Sequence, residues 1–333
     1  MRTLLTAMTA ALGLVSAAAL LGQDPLRLRV DVSLVTLDVE VTDSNGRPIT
    51  NLSRDEFQIY ENGALQQLGS FDSVDTPYNI LLLFDCSGST EADWPFLIQA
   101  MNRFTQMLRP QDRVAVAQFG SGYKILQTWF TRPASAVAVS VRPRDSVCMG
   151  TDFYGAVQRG IEELQPVKTR KGAVVLTDGR HGTIPYRKPG GNSLNYSRYV
   201  DSVDDSDFQK LLRSVASSPA VLYFVAVDTD LNPDQETTGA GVIYNPDEIY
   251  NKQQVRSRLE ELASLTGGRV VYAQKPEDVV PLYEQMAREL GSVYSLGYAP
   301  SNSRKDETYR KIEVRVRDRS MHVRQSRDGY QAR

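Results

Sequence analysis

Between residues 79 and 290, short apolar runs alternate with longer segments in which apolar residues recur at helical spacing. The apolar runs, which we predict to be strands, are residues 79–84, 113–119, 172–177, 220–227 and 269–273. The predicted helices lie near residues 95–108, 153–165, 207–216, 254–266 and 276–290. Such an alternation is typical of right-handed strand–helix–strand units. It predicts an α/β domain over residues 77–291, with a doubly wound, mostly parallel sheet that carries helices on both faces.

The two ends of the chain have a different pattern, because their apolar and polar residues alternate with a period of two. This holds in residues 25–42 and, without a break, from Lys311 to Arg317. The apolar residues of the second run, which we expect to face a core, are Ile312, Val314 and Val316. Residues 25–76 are too few to bury a core alone. We therefore predict that residues 25–76 and 292–333 pair into one small β-sandwich, into which the α/β domain is inserted.

Five oxygen-bearing side chains lie in three separate stretches of the predicted α/β domain. Asp85, Ser87 and Ser89 follow the first predicted strand, Asp178 follows the third, and Thr151 lies between them. In an open α/β sheet, ligands bind beyond the carboxyl ends of the strands, so the three stretches are expected to meet in one cleft. Two carboxylates and three hydroxyls suit a small hard cation such as Mg²⁺, with bonds of about 2.0–2.1 Å. Asp, Ser and Gly also form ordinary turns, which is the alternative for the first stretch alone.

The order Asp85-x-Ser87-x-Ser89, then Thr151, then Asp178 resembles the metal-ion-dependent adhesion site of von Willebrand factor type A domains. The resemblance implies that Ser87 and Ser89 bind the metal directly, and that Thr151 does so when the site is engaged. It implies that Asp85 and Asp178 hold metal-bound waters. In such sites the last metal position takes an acidic side chain from a protein partner, so a non-enzymatic, adhesion-type binding module is expected. Thr90 stands where this family often has Met.

Nearly all of the chain after its first residues is also similar to a group of exported acidobacterial proteins related to von Willebrand factor A domains. Besides the metal motifs, the similar segments are residues 29–41, 52–63, 294–300 and 310–316. The function of that group is poorly defined, so this resemblance concerns the fold more than the biology.

Two other functions remain open for a metal site of this kind. One is a metal-dependent hydrolase, for which His181 is close in sequence to Asp178, although no second carboxylate pair or nucleophile motif accompanies it. A lone histidine in a polar loop is more often solvated, so we expect His181 to be exposed. The other is a scaffold whose metal is purely structural. A nucleotide-binding role lacks the glycine-rich motifs that it needs. The net charge of −2 gives no indication of nucleic-acid binding.

The first 22 residues have the character of a signal peptide. Residues 4–21 are apolar and rich in Ala and Leu, they follow Arg2, and small residues at 16–19 suit cleavage. An uncleaved anchor is the alternative, and no other stretch could span a membrane. We expect an exported protein that is periplasmic, attached to the cell surface or secreted. The partner, the oligomeric state and the choice between Mg²⁺ and Mn²⁺ are open.

Two further features have more than one interpretation. Cys86 lies inside the first metal stretch and Cys148 lies three residues before Thr151, so the two thiols either form a disulfide or are buried separately. The segment 183–206 is rich in Gly, Asn, Ser and Asp and also carries Tyr and Arg. It is either a partner-binding segment at the metal face or an ordinary solvated loop.

Overall fold

The computed structural model describes residues 34–131, 146–182, 184, 186–187, 198–229, 231, 237–238, 241–242 and 246–332. Its strands are β1 (Val35–Thr42), β2 (Phe57–Glu61), β3 (Ala64–Gln66), β4 (Leu68–Asp72), β5 (Asn79–Asp85), β6 (Arg113–Phe119), β7 (Tyr123–Thr131), β8 (Lys171–Thr177), β9 (Tyr186–Arg187), β10 (Arg198–Tyr199), β11 (Val221–Ala226), β12 (Thr237–Thr238), β13 (Gly241–Val242), β14 (Val270–Tyr272), β15 (Tyr294–Tyr298), β16 (Tyr309–Val316), β17 (His322–Gln325) and β18 (Gly329–Gln331). Its α-helices are α1 (Trp94–Met107), α2 (Phe153–Leu164), α3 (Ser206–Ala216), α4 (Pro246–Thr266) and α5 (Val279–Leu290). The predicted signal segment 1–22 and residues 25–33 lie outside the described residues.

The largest sheet has the strand order β14-β11-β8-β5-β6-β7 within the described residues. Its first five strands are parallel, and β7 is antiparallel at the edge beside β6. Since β5 occupies the middle of the order and β8 pairs beside it, the carboxyl ends of these two strands are adjacent. The predicted doubly wound α/β sheet is confirmed.

Strand β5 is buried on both faces because the helices are divided between them. Ile80, Leu82 and Phe84 pack in the core beneath α1 and α5. Leu81 and Leu83 pack in the opposite core with residues of α2, α3 and α4. Burying each such side chain contributes about 1.5–3 kcal/mol. A strand held from both sides in this way is a rigid base for the polar residues that follow it.

Strands from both ends of the chain form two four-stranded antiparallel sheets. Their strand orders are β17-β1-β15-β4 and β18-β16-β2-β3. Inward residues of both sheets share one core, which includes Leu37, Ile59, Leu296 and Val314. The alternating run in β16 behaves as expected, because Ile312, Val314 and Val316 are all buried. The α/β sheet is therefore accompanied by a small β domain built from the two ends. The exact limits of the segments stay a prediction.

The β domain meets the α/β domain at a buried carboxylate. Asp38 of β1 accepts hydrogen bonds from the hydroxyls of Tyr78 (3.3 Å), Tyr223 and Ser295. Arg170 donates to Ser295 Oγ at 3.0 Å, and its guanidinium lies 4.5 Å from the centre of the Tyr78 ring. Tyr78 and Tyr223 belong to the α/β part, so this polar cluster joins the two parts at the amino ends of the parallel strands.

Besides the two-residue strands β9, β10, β12 and β13, which were not predicted, three longer elements differ from the sequence prediction. β7 was not predicted, because its apolar residues occur in adjacent pairs and its pairing with β6 slips register twice. α4 begins at Pro246 instead of near residue 254, because its first two turns are mostly polar. α5 begins at Val279, since residues 276–278 form a short 3₁₀ turn.

Candidate metal centre at the carboxyl end of the sheet

Asp85 is the last residue of β5 and its carboxylate is completely buried. Thr177 Oγ1 donates to Asp85 Oδ2 at 2.6 Å, and the amide of Ser87 donates to Oδ1 at 3.0 Å. The first bond follows from the sheet register, because Phe84 of β5 pairs with Leu176 of β8 and the next residues are therefore neighbours. The first and third predicted stretches thus meet, as the sequence indicates.

The loop after Asp85 is folded by Thr90. Its hydroxyl lies within hydrogen-bonding distance of the carbonyl oxygens of Asp85 (2.9 Å) and Ser87 (3.0 Å), and the indole N–H of Trp94 donates to it at 3.2 Å. The loop brings Ser87 Oγ and Ser89 Oγ to 3.1 Å from each other. Two hydroxyl oxygens at this separation can both contact one small ion. Thr90, the one departure from the family pattern, is therefore part of the support for the loop.

Asp178 follows β8 directly and is buried beside Asp85. Its Oδ1 accepts the amide of Arg180 at 3.0 Å. Its Oδ2 is also buried, and no described residue donates a hydrogen bond to it; Arg180 Nε is 3.6 Å away. The turn is possible because Gly179 has a φ of +69° and donates its amide to Thr177 Oγ1 at 2.9 Å. A buried carboxylate oxygen without a hydrogen bond is costly unless another positive group reaches it.

Thr151 lies at the amino end of α2, where two loops hold its backbone. The amide of Gly182 donates to Thr151 O at 2.9 Å, and the amide of Asp152 donates to Gly120 O at 2.6 Å. Asp152 then caps α2 by accepting the amide of Gly155 at 3.0 Å. Thr151 is thereby fixed between the segment after Asp178 and the end of β6, so the second stretch joins the other two.

A disulfide connects two of the three stretches. Cys86 and Cys148 are bonded, with their Cα atoms 5.0 Å apart. Both residues belong to the core beneath α1 and α5. The alternative of two separate buried thiols is wrong.

Burial and a neighbouring charge disfavour the ionised form of Asp85. Burial, together with the charge of Asp178, raises the pKa of Asp85 from its ordinary value of 3.8 to about 7. Within the described part of the chain, no group of three or more His, Cys, Asp and Glu residues could hold a metal. The donor set here is two carboxylates and neighbouring hydroxyls, which matches a hard ion that keeps several waters. The residues present therefore fit Mg²⁺ or a similar ion.

His181 is buried, whereas the sequence favoured a solvated position. Its ring stacks on Tyr154 with the centroids 3.8 Å apart. The Tyr154 hydroxyl donates to Asp205 at 2.7 Å and accepts from Arg258 Nε at 3.0 Å. Burial lowers the pKa of His181. The histidine is thus packed in an aromatic and ionic cluster behind the metal face.

The described parts of segment 183–206 lie against the start of α4. β9 and β10 form a short antiparallel pair. The amide of Tyr199 donates to Asn251 Oδ1 at 2.7 Å, and Arg198 forms an ion pair with Asp247. Asp178, Tyr199 and Asp247 line one cavity of about 290 Å³, so this part of the segment is next to the metal face. Lys188 and Tyr196 lie outside the described residues.

Sequence reasoning missed two supporting residues of the site, Thr177 and Arg180. Thr177 precedes Asp178 at the strand end, and a polar residue in the last position of an otherwise apolar strand was the available signal. Arg180 bonds Asp228 at 2.7 Å and so spans two neighbouring strand ends. No sequence pattern indicated the contact between Arg180 and Asp228, because the two residues are far apart in the chain.

Comparisons with known proteins give one family and several structures. Residues 80–181 match the family model described as von Willebrand factor type A domain. No curated protein matches the chain.

A von Willebrand factor type A structure from Catenulispora acidiphila is 11% identical, with a TM-score of 0.46, over 90% of this chain and 74% of that one. The pilus adhesin SpaC from Lactobacillus rhamnosus GG, in its open conformation, is 11% identical, with a TM-score of 0.46, over 88% of this chain and 47% of that one. An aerotolerance-related membrane protein from Bacteroides fragilis NCTC 9343 is 13% identical, with a TM-score of 0.41, over 64% of this chain and 99% of that one.

The family match covers the segment that carries the candidate metal centre. It begins at Ile80 in β5 and ends at His181, so it includes all five predicted ligands. Domains of this family are mostly non-catalytic binding modules, and they often bind a divalent cation. The parallel sheet and the residues at its carboxyl end agree with this match, so residues 80–181 are similar to a von Willebrand factor type A domain.

Proposed function

We propose that this chain is a protein-binding, adhesion-type module that uses a divalent cation to bind an acidic side chain of its partner. The observation that supports this most is the pair of buried carboxylates, Asp85 and Asp178, beside the paired hydroxyls of Ser87 and Ser89. Two adjacent buried acids are unfavourable unless a proton or a cation compensates them. Protonation removes the negative charge of a carboxylate, whereas a bound cation is stabilised by that charge.

The proposed ligands have different roles. Ser87 and Ser89 are direct hydroxyl ligands, and Thr151 is a third hydroxyl ligand in the engaged state. Asp85 and Asp178 act through metal-bound waters. Mg²⁺ or Mn²⁺ supplies positive charge at the surface of the site when bound, and hydroxyl ligands leave that charge unneutralised. A carboxylate of the partner is then the natural last ligand.

Export is part of the proposal. A disulfide persists in an oxidising compartment, so Cys86–Cys148 supports a periplasmic, cell-surface or secreted protein. We propose residues 1–22 as the signal peptide, residues 25–76 and 292–333 as the two parts of the β-sandwich, and residues 77–291 as the inserted domain. We also propose that the chain is a member of the exported acidobacterial group. In the described residues, none of the helices combines the length and apolar character needed to cross a membrane.

The hydrolase alternative is less well supported. A general base must reach a water or substrate at the metal face. His181 instead has its ring stacked on Tyr154 and is buried. A purely structural metal would explain the buried ligands equally well, but it would not require partner binding. Partner binding therefore separates the two remaining functions.

The test is cation-dependent binding to a defined partner from the native envelope. Immobilised protein is incubated with envelope extract in Mg²⁺ and in EDTA, in parallel with Asp178→Ala and with Asp207→Ala as the matched control. Asp207 is an exposed acid that forms an ion pair with Lys210. We expect a partner that is retained by wild type and Asp207→Ala in Mg²⁺ and lost with EDTA or Asp178→Ala. If Asp178→Ala still retained the same partner in EDTA, that result would contradict the proposal.

A further inference from the structure

We infer that the Cys86–Cys148 disulfide is a positioning element of the metal centre, which holds the loop of Thr151 against the loop of Ser87 and Ser89 before any cation binds. This inference rests on the proposed metal-binding function and deepens it. It assigns to the two cysteines the role of holding the two loops together in advance, so that Thr151 needs only a small movement to bind the metal when a partner arrives.

The place of the disulfide is the first reason. Cys86 lies between Asp85 and Ser87, and Cys148 lies three residues before Thr151. One covalent bond therefore joins the two loops that supply all the proposed hydroxyl ligands. A disulfide placed only to stabilise the fold could join any two buried positions, whereas this one has a proposed ligand within three residues of each end.

The second reason is that the Thr151 loop is held to neighbouring segments by hydrogen bonds from surface loops. These include the Asp152 amide to Gly120 O (2.6 Å), the Gly182 amide to Thr151 O (2.9 Å), the Gly122 amide to Val147 O (3.4 Å) and the Ser121 hydroxyl to Ser146 O (3.1 Å). Exposed loop hydrogen bonds of this kind contribute about 1 kcal/mol each, and such segments open locally at low cost. The disulfide removes this freedom at Cys148.

The third reason is the close fit beneath the loop. A Cβ atom on Gly120 would lie 2.3 Å from Val147 O and 2.8 Å from Cys148 Cα, so the loop packs directly on the backbone at the end of β6. The amide of Cys86 donates to Phe119 O at 2.8 Å, one residue before Gly120. Both cysteines therefore contact the same strand end, and the disulfide closes a compact unit around it.

The burial of the two sulfur-bearing residues favours a permanent cross-link over a switch. Cys86 is 0% exposed and Cys148 is 6% exposed. Thiol–disulfide exchange requires an attacking thiolate to reach one sulfur. A reductant cannot do so while the loops stay closed, so the bond made during folding persists in the folded protein. The Thr151 loop is then restricted to small movements about Cys148.

The experiment compares wild type with Cys86→Ala/Cys148→Ala by two measurements. Isothermal calorimetry gives the Mg²⁺ affinity, and hydrogen exchange gives the protection of residues 146–152 in metal-free protein. We expect the double variant to bind Mg²⁺ about tenfold or more weakly and to exchange faster in 146–152, while protection in β5 and β8 stays unchanged. If the double alanine variant does not fold, Cys86→Val/Cys148→Ala refills part of the buried volume and gives the same comparison.

The outcomes separate this inference from the proposed function. Unchanged affinity and unchanged exchange in the double variant, with binding lost in Asp178→Ala, would overturn the positioning role and leave the metal site intact. A wild-type protein that binds no cation would overturn both. Weaker binding with faster exchange confined to 146–152 supports both.

Discussion

The hydroxyl of Thr177 donates a 2.6 Å hydrogen bond to Asp85 Oδ2 and so joins the ends of β5 and β8 beneath the proposed metal centre. Thr177 is fully buried and also accepts the amide of Gly179, which begins the turn after Asp178. One side chain therefore orients both carboxylates. Asp85 is held directly, and Asp178 is held through the turn.

Thr177→Val keeps the size of this side chain and removes both hydrogen bonds. We expect the free energy of unfolding to fall by about 1–3 kcal/mol, because a buried carboxylate and a buried amide each lose a partner. Urea unfolding in EDTA measures the change. Thr105→Val is the matched control, since the Thr105 hydroxyl donates only to Asn102 O within α1. Equal stability of the two variants would mean that the Thr177 bond does not support the site.

Asp38 at the junction of the two parts gives a second prediction. Asp38→Ala leaves the buried hydroxyls of Tyr78, Tyr223 and Ser295 without their shared acceptor. We expect a loss of about 2–4 kcal/mol in the free energy of unfolding. Urea unfolding monitored by circular dichroism measures it, and the exposed Asp207→Ala is expected to change stability by less than about 0.5 kcal/mol. A neutral Asp38→Ala would show that the junction does not depend on this carboxylate.

The pH dependence of metal binding follows from the pKa of Asp85. In the metal-free folded protein that pKa is raised to about 7 by burial and by Asp178, against an ordinary value of 3.8. The folded, metal-free protein thus holds this proton more tightly than the unfolded chain. The stabilisation from Asp85 is complete below the ordinary value and is lost as the pH rises through about 7.

Cation affinity changes in the opposite direction, because the ion must displace the proton. We expect the Mg²⁺ affinity to rise about tenfold per pH unit below the pKa of Asp85 and to level off above it. Calorimetry at about pH 5.5, about pH 6.5 and about pH 8 measures the slope. An affinity that is the same at all three values would show that Asp85 is already ionised in the metal-free protein.

The sequence predicted the parts of the structure that depend on local periodicity. β5, β6 and β8 are clean apolar runs buried between two helical layers, and their predicted bounds agree with the structure within one residue. The proximity of Asp85 and Asp178 followed from the rule that ligands bind at the carboxyl ends of parallel strands.

The features that the sequence did not predict depend on contacts between segments that are distant in the chain. Whether Cys86 and Cys148 form a disulfide depends on the approach of two loops that are distant in the sequence, and the loop of Cys148 packs closely on Gly120. His181 appeared solvated because its neighbours in sequence are polar, yet Tyr154 from α2 covers it. β7 was missed because an irregular edge strand does not alternate.

Calorimetric titration of the metal-free protein with Mg²⁺ and Mn²⁺ tests the central claim most directly. Wild type, Asp178→Ala and the control Asp207→Ala are compared under the same conditions. We predict one site per chain in wild type and in Asp207→Ala, with affinity at least about tenfold weaker in Asp178→Ala, as is usual when a group that holds a metal is removed. Equal affinity of wild type and Asp178→Ala would contradict the assignment of the metal centre.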